Sequence, residues 1–374
     1  MIKILFTGGG TGGHTYPIVA VARALKTLAQ KENIEVEFAF AGATDFNVEI
    51  LRQEGMSIYH VPSGKLRRYS SLQAPWDFLK AIAGFFYALS LLWVIMPDVI
   101  FAKGGYGSLS VGLAGRIYGT PLLVHDSDAV PGIVNRILGK IASRVAISFP
   151  SAVSYFPAHK TAFTGNPVRD FLLKGSKEKA ISFFSIHSDR PILLILGGSQ
   201  GSVPINEVMA KSLQELLHSY EVIHQCGTQN LEAFSKELRE IYGVDPEKNS
   251  NYHLVGYLGE EAEAHALQAA NLVISRAGAG NIYEIAALGK PSILIPLPHA
   301  ASDHQRQNAF YYARVGATIV IEEPNLSPHI LVSEIKVILE NPNKYLDMAK
   351  AAKIFAKPDA AEKIARGILE LALS

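Results

Sequence analysis

The feature that most constrains the fold is a strand, a glycine-rich turn and a helix in succession, and it occurs twice. The first copy runs from the apolar segment 2–6 through the turn 7–14 into a helical pattern that opens at Pro17. The second runs from 191–196 into the turn 197–201. In each copy, free backbone N–H groups and the positive end of the helix dipole converge at the glycine-rich turn. Such a position suits a phosphate. The sequence therefore predicts two α/β domains, each with an anion-binding loop.

Short apolar runs alternate with helical segments over most of the chain, which predicts parallel sheets covered by helices. The predicted strands are 2–6, 36–41, 58–61, 99–102, 122–125, 145–147, 191–196, 221–225, 252–255, 272–275, 292–295 and 318–321. Ligands in open α/β sheets bind beyond the carboxyl ends of the strands. We therefore expect two Rossmann-like domains with both glycine loops facing the cleft between them.

The break in this pattern at 164–179, which is rich in Gly, Pro and charge, predicts the linker between the domains. The expected division is an N-terminal domain at 1–165, a C-terminal domain at 166–345 and C-terminal helices at 346–374. The last of these helices, 359–373, is amphipathic, and we expect the C-terminal helices to pack back toward the N-terminal domain.

Composition supports a folded protein of about two domains, since 374 residues exceed one ordinary core and 48% of them are hydrophobic. The formal net charge of +1 argues against a nucleic-acid partner, because such domains carry a clear basic excess. The single cysteine, Cys226, excludes an internal disulfide, and its position after an apolar run predicts a buried, inert thiol. The N-terminus is itself a predicted core strand without a signal peptide, which indicates a cytoplasmic protein.

The first glycine turn also matches the dinucleotide fingerprint, as Gly8-x-Gly10-x-x-Gly13. That fingerprint requires an acid at the end of the second strand, and none occurs there before Asp45. His14 is a better indicator of chemistry, because the positive end of a helix favours a neutral, proton-accepting imidazole. We interpret His14 as a general base beside a phosphate site, the alternative being a histidine that merely caps the loop.

Two blocks in the second half carry polar groups just beyond predicted strands. In the block 275–284, Glu284 falls in about the first turn of a helix, where its carboxylate suits a vicinal diol such as that of ribose. The alternative is a surface acid that stabilises the helix dipole. The block 299–308 is dense in amide and imidazole groups, which suit sugar hydroxyls, unless it is an ordinary polar loop.

The pair Asp126 and Asp128 has the spacing with which two aspartates hold a divalent metal in some sugar-nucleotide-binding enzymes. No other ligand is near in sequence, so we expect no metal here; cationic side chains and helix N-termini would balance phosphate charge instead.

The segment 81–96 carries no charge and has aromatic residues on every helical face. It is shorter than the roughly 20 residues that a membrane span needs. It is therefore either a buried helix or an apolar patch that enters a bilayer surface, the latter aided by Lys65, Arg67 and Arg68.

Several of these blocks occur together in the order of one known family. They are GGTGGH at 9–14, GGY at 104–106, TGNPVR at 164–169, GGSQG at 197–201, Arg276-x-Gly278-Ala279 with Glu284, and DHQ-x-x-NA at 303–309. In these motifs, which span nearly the whole chain, the sequence resembles the MurG-type N-acetylglucosaminyltransferases of peptidoglycan synthesis, members of glycosyltransferase family 28. The resemblance implies a GT-B fold and an inverting transfer of N-acetylglucosamine from UDP-N-acetylglucosamine to undecaprenyl-pyrophosphoryl-N-acetylmuramyl-pentapeptide (lipid I), giving lipid II.

The resemblance also implies roles for individual residues. On the donor side, Arg169 lies at the interdomain hinge, and Ser199, Gln200 and Ala279 lie by the diphosphate. Leu258 lies against the uracil, and Glu284 holds the ribose diol. His304 and Gln305 contact the sugar hydroxyls. Acceptor contacts fall at Thr11, Gly12, Gly13, Gly105 and Tyr106. We expect His14 to accept the proton of the attacking hydroxyl, with a carboxylate such as Asp128 as the alternative base, and we expect no metal and no cofactor. The family's membrane-facing patch coincides with 65–68 and 81–96, which implies a peripheral protein on the cytoplasmic face of the cell membrane.

This chain departs from the family pattern at three places. It has His125-Asp126-Ser127-Asp128 where His-Glu-Gln-Asn is usual, so that an acid at 128 replaces an amide near the acceptor. The residues 202–203 and 109–110 also differ from the usual ones and concern loop packing. The alternatives left open are a diacylglycerol glycosyltransferase, a UDP-N-acetylglucosamine 2-epimerase, a non-catalytic UDP-sugar-binding protein and, least favoured, an NAD-dependent oxidoreductase.

Overall fold

The computed structural model describes residues 1–9, 12–44, 48–64, 74–198 and 200–374. These residues form two compact units. Unit 1 comprises Met1–Val168 and Lys357–Ser374, and unit 2 comprises Arg169–Ala356. The division follows Val168, close to the expected boundary at 165.

Unit 1 is built on a seven-stranded sheet in which every pairing is parallel. Its strands are β1 (Ile2–Thr7), β2 (Val36–Gly42), β3 (Ser57–His60), β4 (Val99–Ala102), β5 (Leu122–Asp126), β6 (Arg144–Ile147) and β7 (Thr161–Phe163), and their order is β3-β2-β1-β4-β5-β6-β7. The six predicted strands are confirmed with small shifts at their ends. The seventh, β7, was missed because it is short and two of its three residues are exposed.

Five helices of unit 1 connect these strands: α1 (Gly12–Glu32), α2 (Val48–Gln53), α3 (Ala74–Ile95), α4 (Tyr106–Tyr118) and α5 (Ile133–Ile141). The helix predicted to open at Pro17 begins earlier, at Gly12, and Pro17 lies inside it. The sequence pattern was misleading because proline usually marks a first turn. The consequence is that Gly12, Gly13 and His14 form the first turn of α1 rather than a loop before it.

Helix α3 is longer and more exposed than the predicted segment 81–96. By length and composition alone, its residues Trp76–Ile95 are apolar enough to cross a membrane, with a mean hydropathy of 1.9, and 22% of that window is buried. Trp93 is 71% exposed and Phe86 is 62% exposed, so the buried-helix interpretation is wrong. The opposite face packs on unit 1, where Ala88 and Leu92 join the core beneath β4 and β5.

Unit 2 repeats the architecture with six parallel strands, β8 (Ile192–Leu196), β9 (Glu221–Gln225), β10 (Tyr252–Val255), β11 (Leu272–Ser275), β12 (Ser292–Leu294) and β13 (Thr318–Val320). Their order is β10-β9-β8-β11-β12-β13. Its helices are α6 (Lys177–Phe184), α7 (Val203–Leu216), α8 (Leu231–Glu240), α9 (Glu260–Ala269), α10 (Ala279–Ala287), α11 (His304–Arg314), α12 (Pro328–Leu339) and α13 (Pro342–Phe355). The predicted strands are confirmed throughout, and both units have the predicted parallel α/β organisation.

The predicted linker 164–179 is largely ordered structure of unit 2. A 3-10 turn occupies Asp170–Lys174, and α6 begins at Lys177. Ser176 caps that helix, because its hydroxyl accepts a hydrogen bond from the Lys179 N–H at 3.2 Å. The boundary between the units, after Val168, lies within this segment, and the residues that follow it are ordered structure of unit 2.

The predicted C-terminal segment 346–374 is divided between the two units. Helix α13 belongs to unit 2, where the Phe355 ring packs at an angle against Tyr283 and Tyr312, with ring centroids 4.9 Å apart in each case. The final helix, α14 (Ala360–Ala372), belongs to unit 1. Its buried residues Ile364 and Ile368 join the core that lies under α1.

Candidate functional site

Both glycine loops lie at the same topological position in their sheets. In unit 1 the strand order reverses between β1 and β4, and in unit 2 it reverses between β8 and β11. Ligands of open α/β sheets bind beyond the carboxyl ends of the strands at such a switch point. Gly8 and Gly9 follow β1, and α1 begins at Gly12 with His14 in its first turn; Gly197, Gly198 and Gly201 follow β8. Each unit therefore has one candidate binding edge, and we describe the two separately.

At the switch point of unit 1, the turn after β4 packs onto the glycine turn after β1. Gly105 has φ 82°, and a Cβ there would lie 2.7 Å from the Gly9 carbonyl oxygen and 3.5 Å from Cε1 of His14. Only glycine permits this approach. Gly105 is also the N-cap of α4 and offers no capping side chain, while Tyr106 begins α4 and is 42% exposed. The edge thus brings together the N-termini of α1 and α4 beside His14, which suits an anionic ligand.

The turn after β5 adds a buried polar network to the same edge. The Asp126 carboxylate accepts hydrogen bonds from the Asp128 N–H at 2.9 Å, the Asn135 amide at 2.8 Å and the Gly132 N–H at 3.3 Å. Burial raises the pKa of Asp126, and so does the charge of Asp128, whereas the bond from Asn135 and the charge of Lys103 oppose the shift. Asp128 itself is half-buried at the start of this turn. This arrangement fixes the backbone that presents the Asp128 side chain.

His125, which precedes this turn, is a neutral histidine with a defined tautomer. Its Nε2 lies 3.2 Å from the Gly165 carbonyl oxygen, which can only accept, so Nε2 carries the hydrogen and Nδ1 does not. Burial and the charge of Lys103 hold the pKa of His125 well below its usual range. Nδ1 of His125, Oγ1 of Thr7 and Oδ1 of Asn135 are buried without a hydrogen-bond partner among the described residues. Three other described atoms, in His265, Ser292 and Tyr312 of unit 2, are buried in the same way, so this edge holds half of the unsatisfied polar atoms among the described residues.

In unit 2, the glycine turn after β8 is held against the end of β9. Gly201 has φ 77°, and a Cβ there would lie 1.9 Å from the Cys226 carbonyl oxygen. The Gln225 amide donates to the Gly198 carbonyl oxygen at 2.9 Å and accepts from the Leu258 N–H at 3.0 Å. Gln225 therefore links the turn expected at the diphosphate to the residue expected at the uracil. Leu258 is 2% exposed, and Gln200 is exposed.

The predicted ribose ligand, Glu284, is paired with the predicted hinge residue, Arg169. The guanidinium donates to both Glu284 oxygens at 2.6 and 2.8 Å and to both Glu263 oxygens at 2.8 and 2.9 Å. Burial disfavours the charged guanidinium, but Glu284 and Glu263 outweigh it and raise the pKa of Arg169. Burial also raises the pKa of Glu284, with the charge of Glu263 adding to the shift and Arg169 opposing it.

Glu284 lies in the second turn of α10 rather than in the first, so the alternative of a dipole-stabilising surface acid is wrong, and its side chain is buried. Ala279 is the first residue of α10, whose N-cap Gly278 provides no side-chain cap. Backbone N–H groups at that helix end point outward without intrahelical partners. The sequence analysis expected Glu284 in about the first turn of a helix, and the structure has it one turn later in α10.

The loop before α11 holds three non-glycine residues in the left-handed region: His299 with φ 59°, Ser302 with φ 57° and Asp303 with φ 55°. Such conformations cost about 1–3 kcal/mol each and cluster at functional sites. His304 begins α11. The next residue, Gln305, accepts a hydrogen bond from the Leu297 N–H at 3.0 Å through its amide oxygen. The predicted sugar-binding pair therefore stands on a strained turn at the carboxyl end of β12.

The structure thus groups the predicted residues by unit: His14, Gly12, Gly13, Gly105, Tyr106 and Asp128 lie at one edge, and Arg169, Gln200, Leu258, Ala279, Glu284, His304 and Gln305 belong to the other unit. Thr11 and Ser199 lie outside the described residues, as do Lys65, Arg67 and Arg68. Cys226 is fully buried, and burial raises the pKa of its thiol to about 11, which confirms the predicted inert thiol. Within the described part of the chain, no three His, Cys, Asp or Glu side chains are arranged to hold a metal ion.

Sequence reasoning missed two buried cations that directly follow strands at the switch points, Lys103 after β4 and Arg276 after β11. Arg276 donates to the Ile295 carbonyl at 3.2 Å, the Ser202 hydroxyl at 2.6 Å and the Glu323 carboxylate. It thereby ties the glycine turn to the ends of β12 and β13. In the sequence, each of these two cations is a charged residue directly after a continuous apolar strand. That pattern could have identified both Lys103 and Arg276.

Comparisons with known proteins agree with the two-unit description. The family model described as the glycosyltransferase family 28 N-terminal domain matches residues 4–147, and the model for the C-terminal domain of that family matches residues 192–364. A UDP-N-acetylglucosamine--N-acetylmuramyl-(pentapeptide) pyrophosphoryl-undecaprenol N-acetylglucosamine transferase of Clostridium botulinum (strain Hall) is 35% identical over 356 residues, 95% of this chain and 96% of that protein. A relative of the same name from Clostridium perfringens is 37% identical and covers 94% of each chain.

Solved structures support the same assignment. The crystal structure of Acinetobacter baumannii MurG has a TM-score of 0.75 and 28% identity, covering 99% of this chain and 100% of that one. A UDP-GlcNAc 2-epimerase from Neisseria meningitidis bound to UDP-GlcNAc has a TM-score of 0.69 over 99% of this chain but only 15% identity, so it shows the fold alone. The predicted GT-B fold is confirmed, and the chain belongs to glycosyltransferase family 28.

Proposed function

We propose that this chain transfers N-acetylglucosamine from UDP-N-acetylglucosamine to the C4 hydroxyl of lipid I, giving lipid II. The observation that carries the proposal is the match of nearly the whole chain to two relatives named for this transfer, at 35% and 37% identity. The epimerase alternative rests on fold similarity at 15% identity, which does not carry an activity.

We assign the donor to the edge of unit 2. The N–H groups at the start of α10, with Ala279, suit the diphosphate, and so does the glycine turn with Ser199 and Gln200. Glu284 has carboxylate oxygens suited to the ribose diol, and Arg169 fixes their direction. Leu258 is assigned to the uracil. The amide and imidazole of Gln305 and His304 are assigned to the sugar hydroxyls.

We assign the acceptor pyrophosphate to the edge of unit 1, at the N-termini of α1 and α4 with Thr11, Gly12, Gly13, Gly105 and Tyr106. In a single displacement, the acceptor O4 forms a bond to the anomeric carbon of N-acetylglucosamine while the bond to the UDP oxygen breaks. The electron pair of that bond leaves with UDP, and the O4 proton passes to His14, with Asp128 as the competing base. Inversion at the anomeric carbon follows from the single step.

Helix N-termini and buried cations offset the charge that develops on the leaving diphosphate in this scheme. No metal and no cofactor is required, and no nucleic acid takes part. We expect turnover to persist with EDTA present, and loss of UDP release under EDTA would contradict this part of the proposal.

Helix α3 is the proposed contact with the cytoplasmic membrane surface. Hydrogen bonds hold it to unit 1 along its length: Ser110 donates to the Ala81 carbonyl at 3.5 Å, Tyr118 to the Leu89 carbonyl at 3.1 Å and Lys3 to the Ile95 carbonyl at 3.3 Å. A helix so attached lies along the surface of its unit, which favours peripheral contact over crossing the bilayer. Its exposed aromatic side chains would enter the interface.

The membrane contact is tested by sedimentation with anionic vesicles. Phe86 and Phe183 are each 62% exposed, but Phe183 lies in unit 2, far along the chain from α3. We expect Phe86→Ser combined with Trp93→Ser to weaken vesicle binding by tenfold or more, and Phe183→Ser to leave binding unchanged. Equal loss in both variants would remove α3 as the membrane contact.

The transfer itself is tested by UDP release from UDP-N-acetylglucosamine with and without a lipid I analogue. We expect release that depends on the analogue and a disaccharide product. Release at a comparable rate without acceptor would indicate the epimerase alternative instead. A parallel assay with diacylglycerol separates lipid I from the glycolipid alternative, because a diacylglycerol glycosyltransferase would turn over that acceptor.

A further inference from the structure

Lys103 is a buried lysine at the centre of the acceptor edge of unit 1. It directly follows β4 at the switch point and is 2% exposed. Its N–H donates to the Thr7 carbonyl oxygen at 2.9 Å, and its Cβ lies 3.4 Å from where a Cβ on Gly8 would be. The side chain therefore leaves the sheet between the glycine turn after β1 and the turn after β5, and a lysine is rarely buried without a role for its charge.

The Lys103 ammonium begins a chain of hydrogen bonds whose direction is fixed. It donates to the Ser127 hydroxyl at 2.7 Å, because an ammonium has no acceptor. The Ser127 hydroxyl then donates to the Asn166 amide oxygen, and the Asn166 amide nitrogen donates to the Pro167 carbonyl at 3.3 Å. The chain runs from the end of β4, through the turn after β5, to the segment after β7. Ser127 is thus held from both sides.

Ser127 stands between the two acids of this turn, Asp126 and Asp128. Burial lowers the pKa of Lys103, and the nearby carboxylates of Asp126 and Asp128 oppose that shift by favouring the charged ammonium. The neighbouring imidazole of His125 is neutral and supplies no positive charge. An anionic ligand bound at this edge would meet the carboxylates, and like charges repel more strongly in a partly buried site than in bulk water. Lys103 supplies a compensating positive charge from within the fold.

We propose that Lys103 is a positioning residue for the acceptor: it fixes the turn 126–128 through Ser127 and offsets the negative charge of that turn. The acceptor's pyrophosphate can then bind beside the carboxylate of Asp128. This inference rests on the proposed function, because it takes the acceptor to be anionic and bound at the edge of unit 1. It explains how an acid is accommodated at 128, where an amide is usual in the proteins that the chain resembles.

The test is steady-state kinetics with UDP-N-acetylglucosamine and a lipid I analogue for Lys103→Met, Lys103→Arg and Ser127→Ala. We expect Lys103→Met to raise the acceptor KM by tenfold or more with the donor KM within twofold of the parent. Lys103→Arg keeps the positive charge. The rise in its acceptor KM, expressed as a logarithm, should be at most half of the rise for Lys103→Met. Ser127→Ala, which keeps the ammonium but removes its fixed partner, should raise the acceptor KM by a smaller factor.

The matched control is Lys290→Met, since Lys290 is a half-buried lysine of unit 2 whose ammonium donates to the Gln268 carbonyl at 2.6 Å. It should leave both KM values unchanged. An equal rise in donor and acceptor KM for Lys103→Met, or no rise in acceptor KM, would overturn the proposal. If Lys103→Met fails to fold, unchanged acceptor KM in both Lys103→Arg and Ser127→Ala would overturn it as well. A parent enzyme without acceptor-dependent turnover would instead refute the proposed function, and this inference with it.

Discussion

The two units place a buried cation at the same topological position and satisfy it differently. In unit 2, Arg276 donates to backbone carbonyls, to a hydroxyl and to the carboxylate of Glu323. In unit 1, the ammonium of Lys103 donates to the single hydroxyl of Ser127. Arg276 is thus bonded directly to a carboxylate, whereas the bond of the Lys103 ammonium goes to a neutral hydroxyl, with the carboxylates of Asp126 and Asp128 near enough for a charge interaction.

The same contrast extends to the other polar atoms of the two edges. Three buried side-chain atoms at the edge of unit 1 lack partners among the described residues, and each such atom costs about 1–3 kcal/mol. Their counterparts at the edge of unit 2, such as Gln225 and Arg169, are bonded on both sides. Unit 2 also buries unpartnered polar atoms, in His265, Ser292 and Tyr312, so the contrast concerns only the side chains named at the two edges. Variants should therefore affect the two units in different ways.

The largest expected effect is on turnover, from the proposed base of unit 1. His14→Ala should lower kcat by about 10²–10⁴-fold, the usual contribution of a positioned general base. Donor affinity by calorimetry should be unchanged, because His14 belongs to unit 1 and the donor is assigned to unit 2. His60→Ala is the matched control, since His60 is an exposed histidine of the same unit. Parent-like turnover in His14→Ala, with a collapse in Asp128→Asn, would transfer the role of base to Asp128.

The next effect is on stability, from the paired charges of unit 2. Arg169→Met leaves the carboxylates of Glu284 and Glu263 without their common cation, and these side chains are only 8% and 15% exposed. We expect a loss of about 3–5 kcal/mol in the free energy of unfolding, measured with guanidinium.

The control is Arg52→Met, because the ion pair of Arg52 with Glu49 is 60% and 64% exposed and should contribute less than about 1 kcal/mol. If Arg169→Met and Arg52→Met lowered the free energy of unfolding equally, the buried ion pairs of Arg169 would not stabilise unit 2 more than an exposed pair does.

The sequence predicted the sheet composition well because buried parallel strands are continuous apolar runs, which periodicity identifies directly. It misplaced the start of α1 because Pro17, a usual first-turn residue, lies inside that helix. It predicted Glu284 as a ligand from residue type but could not reveal the guanidinium of Arg169 beside it, since that pairing joins residues 115 positions apart. Lys103 and Gln225 were missed for the same reason, as their roles depend on contacts between strand ends.

A smaller effect is expected from the link between the two donor loops. Gln225→Leu leaves the Gly198 carbonyl and the Leu258 N–H without their shared partner, a cost of about 1–3 kcal/mol. The donor Kd should rise by roughly tenfold by calorimetry, while the acceptor KM stays constant. The control is Gln214→Leu, because Gln214 donates to the Tyr242 carbonyl from an exposed helix position and should change neither value. A rise in acceptor KM as large as the rise in donor Kd would contradict the separation of the two edges.

The last prediction concerns the slope of stability against pH and arises from His224, a buried histidine of unit 2. Its Nδ1 lies 2.9 Å from the Tyr252 hydroxyl and its Nε2 lies 3.1 Å from the Asn206 amide oxygen, and burial lowers its pKa to about 3. The unfolded chain, with a histidine pKa near 6.5, takes up a proton that the folded chain does not, so stability falls as the pH drops from about 6.5 toward 3.

We expect His224 to contribute about 1.4 kcal/mol of this loss per pH unit, measured by guanidinium unfolding at pH 4, 5 and 6. In His224→Gln, the slope of the free energy of unfolding against pH should decrease by about 1.4 kcal/mol per pH unit. The free energy of unfolding of this variant at pH 7 should itself be lower than that of the parent. His187→Gln, at an exposed histidine of the same unit, should keep the parent slope. An unchanged slope in His224→Gln would contradict the assignment of this acid sensitivity to His224.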